Sequence, residues 1–192
     1  FVADRSGSQN EIDPTSEKPK KEEQQLALFL FLDSVYGFSY QTERASLQDQ
    51  LLSPLSVRSG VVAFQAGSAQ TIRPLSPTWE SKEQFDVWKA MESNIGGGTP
   101  ANLGLAKVRV EVEQELEKER QSREHDETVK KRLRLALVFM DGGVDKDKLD
   151  DFFAQQEALK NLGVEVSIWG MTESACLVEG YPNGHCVPSA RD

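Results

Sequence analysis

The chain's first long apolar run reads Leu26-Ala27-Leu28-Phe29-Leu30-Phe31-Leu32 and ends at Asp33. A second run, residues 133–140, ends in the same way at Asp141. Uninterrupted apolar runs of this length are typical of strands that are buried on both faces, as in a parallel sheet. Because open α/β sheets bind ligands outside the carboxyl ends of their strands, we expect Asp33 and Asp141 to lie together at one edge of the sheet.

Helical and strand patterns alternate along the rest of the chain. Residues 60–64 are predicted to form a strand, and the short connection to residues 70–75 requires the next strand to run antiparallel to it. Helices are predicted near 43–52, over 81–95, from Pro100 onward and over 149–162, and a strand is predicted over 164–169. The alternation predicts an α/β fold with a doubly wound, mostly parallel central sheet, one antiparallel edge strand and helices on both faces.

The two ends of the chain lack this alternation. Residues 1–25 are polar and charged without periodicity, and such a composition buries too little apolar surface to offset the entropy lost on ordering. We therefore expect a disordered polar tail or linker over 1–25 and one folded domain over 26–188. A short last strand is predicted near residues 185–187.

Composition excludes several classes of partner. The 192 residues carry a formal net charge of −9, which argues against nucleic acid or an anionic membrane as the main partner. No apolar run approaches the ~18–20 residues that a membrane-spanning helix needs, so we expect no membrane insertion.

The two cysteines leave the compartment open. Cys176 and Cys186 flank a short loop, and a disulfide between them would suit an extracellular or other oxidising compartment. The alternative is a pair of free thiols in a cytosolic protein. Zinc is not expected here, because only His185 lies nearby to complete a four-coordinate site.

Three loops are expected to meet at the carboxyl edge of the sheet. They carry Asp33, the glycine-rich segment 96–102 with Thr99, and Asp141. Two carboxylates and a hydroxyl are suited to a hard divalent cation, Mg²⁺ above all. The chain has no Walker-type phosphate loop and no Gly-x-Ser-x-Gly nucleophile elbow, so the residues favour binding over catalysis.

In the order and spacing of these segments, residues 26–188 resemble a von Willebrand factor type A (VWA) domain. The segment Gly97-Gly98-Thr99-Pro100-Ala101-Asn102-Leu103-Gly104-Leu105-Ala106 is similar to the family's Gly-Gly-Thr-x-x-x-x-Gly-Leu-Ala run. Residues 137–143 are similar to its strand that ends in Asp-Gly, and residues 61–64 precede a hairpin as in the family.

The resemblance implies a metal-ion-dependent adhesion site. The family builds that site from Asp-x-Ser-x-Ser after the first strand, a Thr in the middle loop and an Asp after the fourth strand. Asp33, Thr99 and Asp141 match this pattern, whereas Val35 and Gly37 stand where the family has its serines. Since the family's serine hydroxyls touch the metal directly and its acids often act through water, we expect a partly lost Mg²⁺ site.

The resemblance also implies the function. We expect a non-enzymatic adhesion or protein-interaction module that binds a protein or matrix ligand. One alternative is an intracellular scaffold module of the same fold within a multiprotein complex. The other is a Mg²⁺-dependent hydrolase that uses Asp33 and Asp141.

Overall fold

The protein is described by a computed structural model that covers residues 1–13, 16–49, 58–77, 79–92, 96–123, 133–141 and 143–170. Within these ranges one sheet contains five strands: β1 (Val2–Asp4), β2 (Ser59–Gln65), β3 (Ser68–Ser76), β4 (Arg134–Met140) and β5 (Val164–Gly170). Their order is β3-β2-β1-β4-β5. All neighbouring pairs are parallel except β2 and β3, which form an antiparallel hairpin at the edge. The predicted fold class, a mostly parallel Rossmann-like α/β sheet, is confirmed.

In the part of the chain that the structure describes, four α-helices accompany the sheet: α1 (Lys20–Asp49), α2 (Ser81–Glu92), α3 (Ala101–Arg123) and α4 (Leu149–Asn161). One buried cluster joins α1 and α2 to one face of the sheet through Leu28, Val61 and Met91. A larger cluster joins α3 and α4 to the opposite face through Leu105, Val138 and Phe152. The helices therefore lie on both faces, as the α/β alternation predicts.

The apolar run at residues 26–32 is helical, and the prediction of a strand there was wrong. Leu28 and Leu32 are buried, whereas Leu26 and Leu30 are about half exposed. This is the four-residue spacing of a helix face, not the two-sided burial of a central strand. The run contains no β-branched residue, and leucine, alanine and phenylalanine runs without valine or isoleucine do not distinguish a helix from a strand by hydrophobicity alone.

The prediction that residues 1–25 form a tail was also wrong. Val2–Asp4 is the central strand of the sheet, hydrogen-bonded to β2 on one side and to β4 on the other. Val2 and Ala3 are fully buried. Three residues are too short a stretch to show a strand period, and this strand is stabilised by the strands that flank it.

Most of the remaining elements lie where the pattern predicts them. The hairpin, the strands at 133–140 and 164–169, and the helices that begin near residues 81, 100 and 149 are all present. The helix predicted near 43–52 is the continuation of α1 to Asp49. The strand predicted near 185–187, with Cys176 and Cys186, lies outside the described residues. No described helix is long and apolar enough to cross a membrane.

Candidate metal centre

Asp4 and Asp141 leave two adjacent strands at the same edge of the sheet. Asp4 ends β1 and Asp141 follows β4, and these strands are parallel neighbours with Val2 opposite Val138. Parallel neighbours present their carboxyl ends together, at the edge where α/β sheets bind ligands. Both carboxyl groups are almost completely buried, with Asp4 1% and Asp141 4% exposed.

Two serines connect these carboxyl groups. The Ser6 backbone N–H donates to Asp4 Oδ1 at 2.7 Å, and the Ser6 and Ser8 hydroxyls are hydrogen-bonded at 2.9 Å. Ser8 Oγ in turn donates to Asp141 Oδ1 at 2.9 Å. The loop after β1 therefore places two hydroxyl oxygens beside two buried acids.

The glycine-rich segment before Thr99 is tied to this loop by its backbone. Gly7 N–H donates to the Gly97 carbonyl, and Gly96 N–H donates to the Arg5 carbonyl, each at 3.1 Å. Gly97 has a φ of +78°, and a Cβ atom there would lie 2.3 Å from the Ala66 Cβ. Only glycine fits this position. The close packing that holds the Thr99 loop near the serines therefore depends on Gly97.

Electrostatics make the site attractive to a cation. The pKa of Asp4 is raised to about 7: burial raises it most, the hydrogen bonds from Ser6 lower it, and the neighbouring Asp141 raises it through its charge and a hydrogen bond between the two carboxyl groups. Two carboxyl groups this close resist ionising together. A cation placed between them would relieve that repulsion.

Lys20 supplies a cationic group to this site. It is the first residue of α1, and its Nζ atom lies 3.1 Å from Asp141 Oδ2 and 2.9 Å from Glu11 Oε2. Burial alone would lower the pKa of Lys20, but the hydrogen bonds to Glu11 and Asp141 outweigh it and raise that pKa. One ammonium thus sits against one of the two acids.

The side chains fit a small hard cation. Asp4 Oδ2 is buried and accepts no hydrogen bond from the described residues, and the Asp4 carboxyl group lies within hydrogen-bond reach of the Asp141 carboxyl group. The Ser6 and Ser8 oxygens are 2.9 Å apart, which is the length of an ordinary hydrogen bond, and adjacent ligands of an octahedral Mg²⁺ ion lie at a similar separation of about 3.0 Å. The described ranges hold no cluster of three or more His, Cys, Asp and Glu side chains suited to a metal, so a site here depends on hydroxyl oxygens.

Asp33 does not belong to this site. It lies on the exposed side of α1, where its carboxylate accepts a hydrogen bond from Trp79 Nε1 at 3.0 Å. It follows Lys20 by thirteen positions on the same helix, which is about 20 Å along the axis. The prediction that Asp33 lies beside Asp141 is therefore wrong. The two acids do not come together as a hydrolase that uses both would require.

The serines predicted as lost are present elsewhere in the chain. Val35 and Gly37 lie within α1 and do not follow a strand. The strand that precedes the serines is β1. At its end the chain has the Asp-x-Ser-x-Ser spacing, in Asp4-Arg5-Ser6-Gly7-Ser8. That spacing was the sequence signal for Asp4, Ser6 and Ser8. Of the predicted residues, the structure keeps Asp141 in the site and places Thr99 just after the segment that bonds to the serine loop.

Comparisons with known proteins name no family for this chain. No family model matches it, and no curated protein matches it. Among solved structures, it is similar to a conserved hypothetical protein, BatB, from Bacteroides thetaiotaomicron, with a TM-score of 0.48 and 16% identity over 88% of this chain. It is also similar to proximal thread matrix protein 1 from the mussel byssus, with a TM-score of 0.41 and 17% identity over 90% of this chain. The match spans 63% of the first of these proteins and 36% of the second.

Proposed function

We propose that this chain is a VWA-like protein-interaction module that binds a partner through a divalent cation, Mg²⁺ by preference. The cation would be held by Asp4, Ser6, Ser8, Thr99 and Asp141. The observation that carries the proposal is the network from Asp4 through Ser6 and Ser8 to Asp141, which places two hydroxyl oxygens beside two buried carboxyl groups. These positions complete the family pattern that Asp33, Val35 and Gly37 left incomplete.

The hydroxyl groups are suited to direct contact with the metal. Ser8 donates its proton to Asp141, so it accepts the hydrogen bond from the Ser6 hydroxyl, and one lone pair of the Ser8 oxygen remains for a cation. Mg²⁺ takes six oxygen ligands and usually keeps several waters. Five side chains leave at least one position for a water molecule or for an oxygen atom of a partner.

The expected partner is a protein that offers a carboxylate. A cation held by two acids and three neutral hydroxyls retains affinity for a further anionic oxygen, because Mg²⁺ prefers carboxylates and few of its ligands here are charged. The chain's net charge of −9 disfavours an acidic partner except where a cation bridges the two. Binding should therefore require the metal.

The test is calorimetric titration with Mg²⁺, Mn²⁺ and Ca²⁺. We expect one site, with affinity lost in Ser6→Ala and in Asp4→Asn. Asp33→Asn is the matched control, because it neutralises an exposed aspartate about 20 Å from the site and should leave the affinity unchanged. The proposal fails if the native protein binds none of the three ions, or if Asp33→Asn weakens binding as much as Asp4→Asn.

A further inference from the structure

We propose that the Lys20 ammonium is a built-in competitor of the divalent cation, which binds only after this ammonium has left Asp141. The inference rests on the proposed metal site. Lys20 Nζ lies 3.1 Å from Asp141 Oδ2, and its side chain is only 12% exposed. The ammonium is thus held in the site against a carboxylate whose own side chain is 1% exposed.

Hydrogen bonds between residues 11–13 and residues 18–20 fix the position of Lys20. The Lys20 backbone N–H donates to the Glu11 carbonyl at 3.0 Å, and Asp13 N–H donates to the Lys18 carbonyl at 2.8 Å. Ile12 and Pro19 form an antiparallel bridge between these two bonds. The turn brings its two ends together and delivers the Lys20 side chain to the edge of the sheet where Asp141 lies.

The helix α1 does not itself stabilise a lysine at its first position. Lys20 begins α1, and the positive end of the helix dipole disfavours a cation there. Glu22 and Glu23 in the same first turn are the acidic residues that this end prefers. Lys20 therefore gains its favourable environment from Asp141 and Glu11 and not from the helix.

An ammonium and a divalent cation cannot share Asp141 at low cost. The other oxygen of this carboxylate already accepts the Ser8 hydroxyl, and two cations held a few ångströms apart in a buried site repel strongly. Glu11 is 67% exposed, so it can remain the partner of Lys20 after the ammonium moves outward. The site therefore has two arrangements, with either the ammonium or the metal ion on Asp141.

Calorimetric titration of Lys20→Met with Mg²⁺ and Mn²⁺ tests the competition. We expect the Kd to fall by about tenfold or more, because the variant has no ammonium to displace. Lys21→Met, which removes the next lysine along the helix, is the matched control and should bind as the native protein does. The inference is overturned if Lys20→Met binds Mg²⁺ and Mn²⁺ with the same affinity as the native protein or more weakly.

The two proposals fail in different ways. Binding by the native protein with the same Kd in Lys20→Met refutes the competition alone. Absence of binding in both refutes the metal site and the competition with it. Binding by Lys20→Met alone supports both and shows a strongly competing ammonium.

A second measurement uses the native protein and so does not depend on the folding of a variant. Brief acetylation with acetic anhydride, read by tandem mass spectrometry, reports the accessibility of each lysine amine. Saturating Mg²⁺ should increase the acetylation of Lys20 relative to a sample in chelator and leave Lys21 unchanged. Equal or lower acetylation of Lys20 with Mg²⁺ contradicts its displacement.

Discussion

Ser8 Oγ donates a 2.9 Å hydrogen bond to Asp141 Oδ1 and so links two loops that are 133 positions apart in the chain. This bond joins the loop after the central strand to the loop after its parallel neighbour. It holds a hydroxyl oxygen beside the buried acids, and the proposed cation site depends on it.

Ser8→Ala should weaken the binding of Mg²⁺ by about tenfold or more, because it removes one ligand oxygen and the link to Asp141. Loss of one hydrogen bond should also reduce the free energy of unfolding by about 1 kcal/mol. Titration calorimetry and urea unfolding measure the two effects. Ser34→Ala is the control, since among the described residues Ser34 Oγ donates only to the Leu30 carbonyl of its own helix. Equal metal affinity in the two variants would rule out a ligand role for Ser8.

Gly97→Ala should displace the loop that carries Thr99. The added methyl group would meet the Ala66 Cβ at 2.3 Å in a backbone conformation with φ of +78°, and both effects destabilise the native loop. We expect a loss of about 1–3 kcal/mol in unfolding free energy and weaker metal binding. Gly67→Ala is the matched control: Gly67 has a similar φ of +77°, but its added Cβ would meet no atom of the described residues within 4 Å. If the two variants bind Mg²⁺ equally well, the close approach of Gly97 does not position the site.

Leu28→Ala and Leu30→Ala distinguish the helix from the strand that the apolar run predicts. Leu28 is fully buried and Leu30 is 59% exposed. We expect a loss of about 2–5 kcal/mol for Leu28→Ala, as for other buried leucines, and a change within about 0.5 kcal/mol for Leu30→Ala. Chemical unfolding of both variants gives the comparison. Residues 28 and 30 would lie on the same face of a strand, so similar large losses at the two positions would indicate a strand.

The pH dependence of stability should report the Asp4 carboxyl group. Between its ordinary pKa of 3.8 and its folded-state pKa of about 7, the folded protein retains a proton that the unfolded chain has released. Asp4 therefore lowers the free energy of unfolding as pH rises through this window, by at most about 4 kcal/mol. Lys20, whose pKa is also raised, titrates above the window and does not contribute there.

Urea unfolding in chelator at several pH values between 4 and 8 measures this slope. Asp4→Asn carries no charge at any of these pH values, so its stability should fall less as pH rises. A native profile with the same slope as that of Asp4→Asn would mean that Asp4 titrates near its ordinary pKa.

Much of the fold could be predicted from the sequence, because the hairpin, β4, β5 and the helices α2, α3 and α4 have clear apolar patterns. The central strand, β1, could not be predicted, since its three residues are too few to show a period. Its stability comes from pairing with β2 and β4. The first long run was assigned to a strand because its length and hydrophobicity also suit a buried strand, and only its lack of β-branched residues favours a helix.

Two of the five residues of the proposed site, Thr99 and Asp141, could be predicted from the sequence. Asp141 and Thr99 follow elements with strong patterns, so their positions could be inferred. Asp4, Ser6 and Ser8 lie at or just after β1, the strand that the sequence pattern does not show. Because residues 26–32 are predicted to be the first strand, the acid expected after that strand is Asp33. The contact of Lys20 with Asp141 depends on the turn that precedes α1, which no local pattern indicates.

The most direct test is a crystal structure with Mn²⁺, read by anomalous scattering. The proposed site predicts one strong anomalous peak between Asp4, Ser6, Ser8 and Asp141, near Thr99 and away from Asp33. No peak at this position in crystals saturated with Mn²⁺, or a peak only at another group of acids, would contradict it.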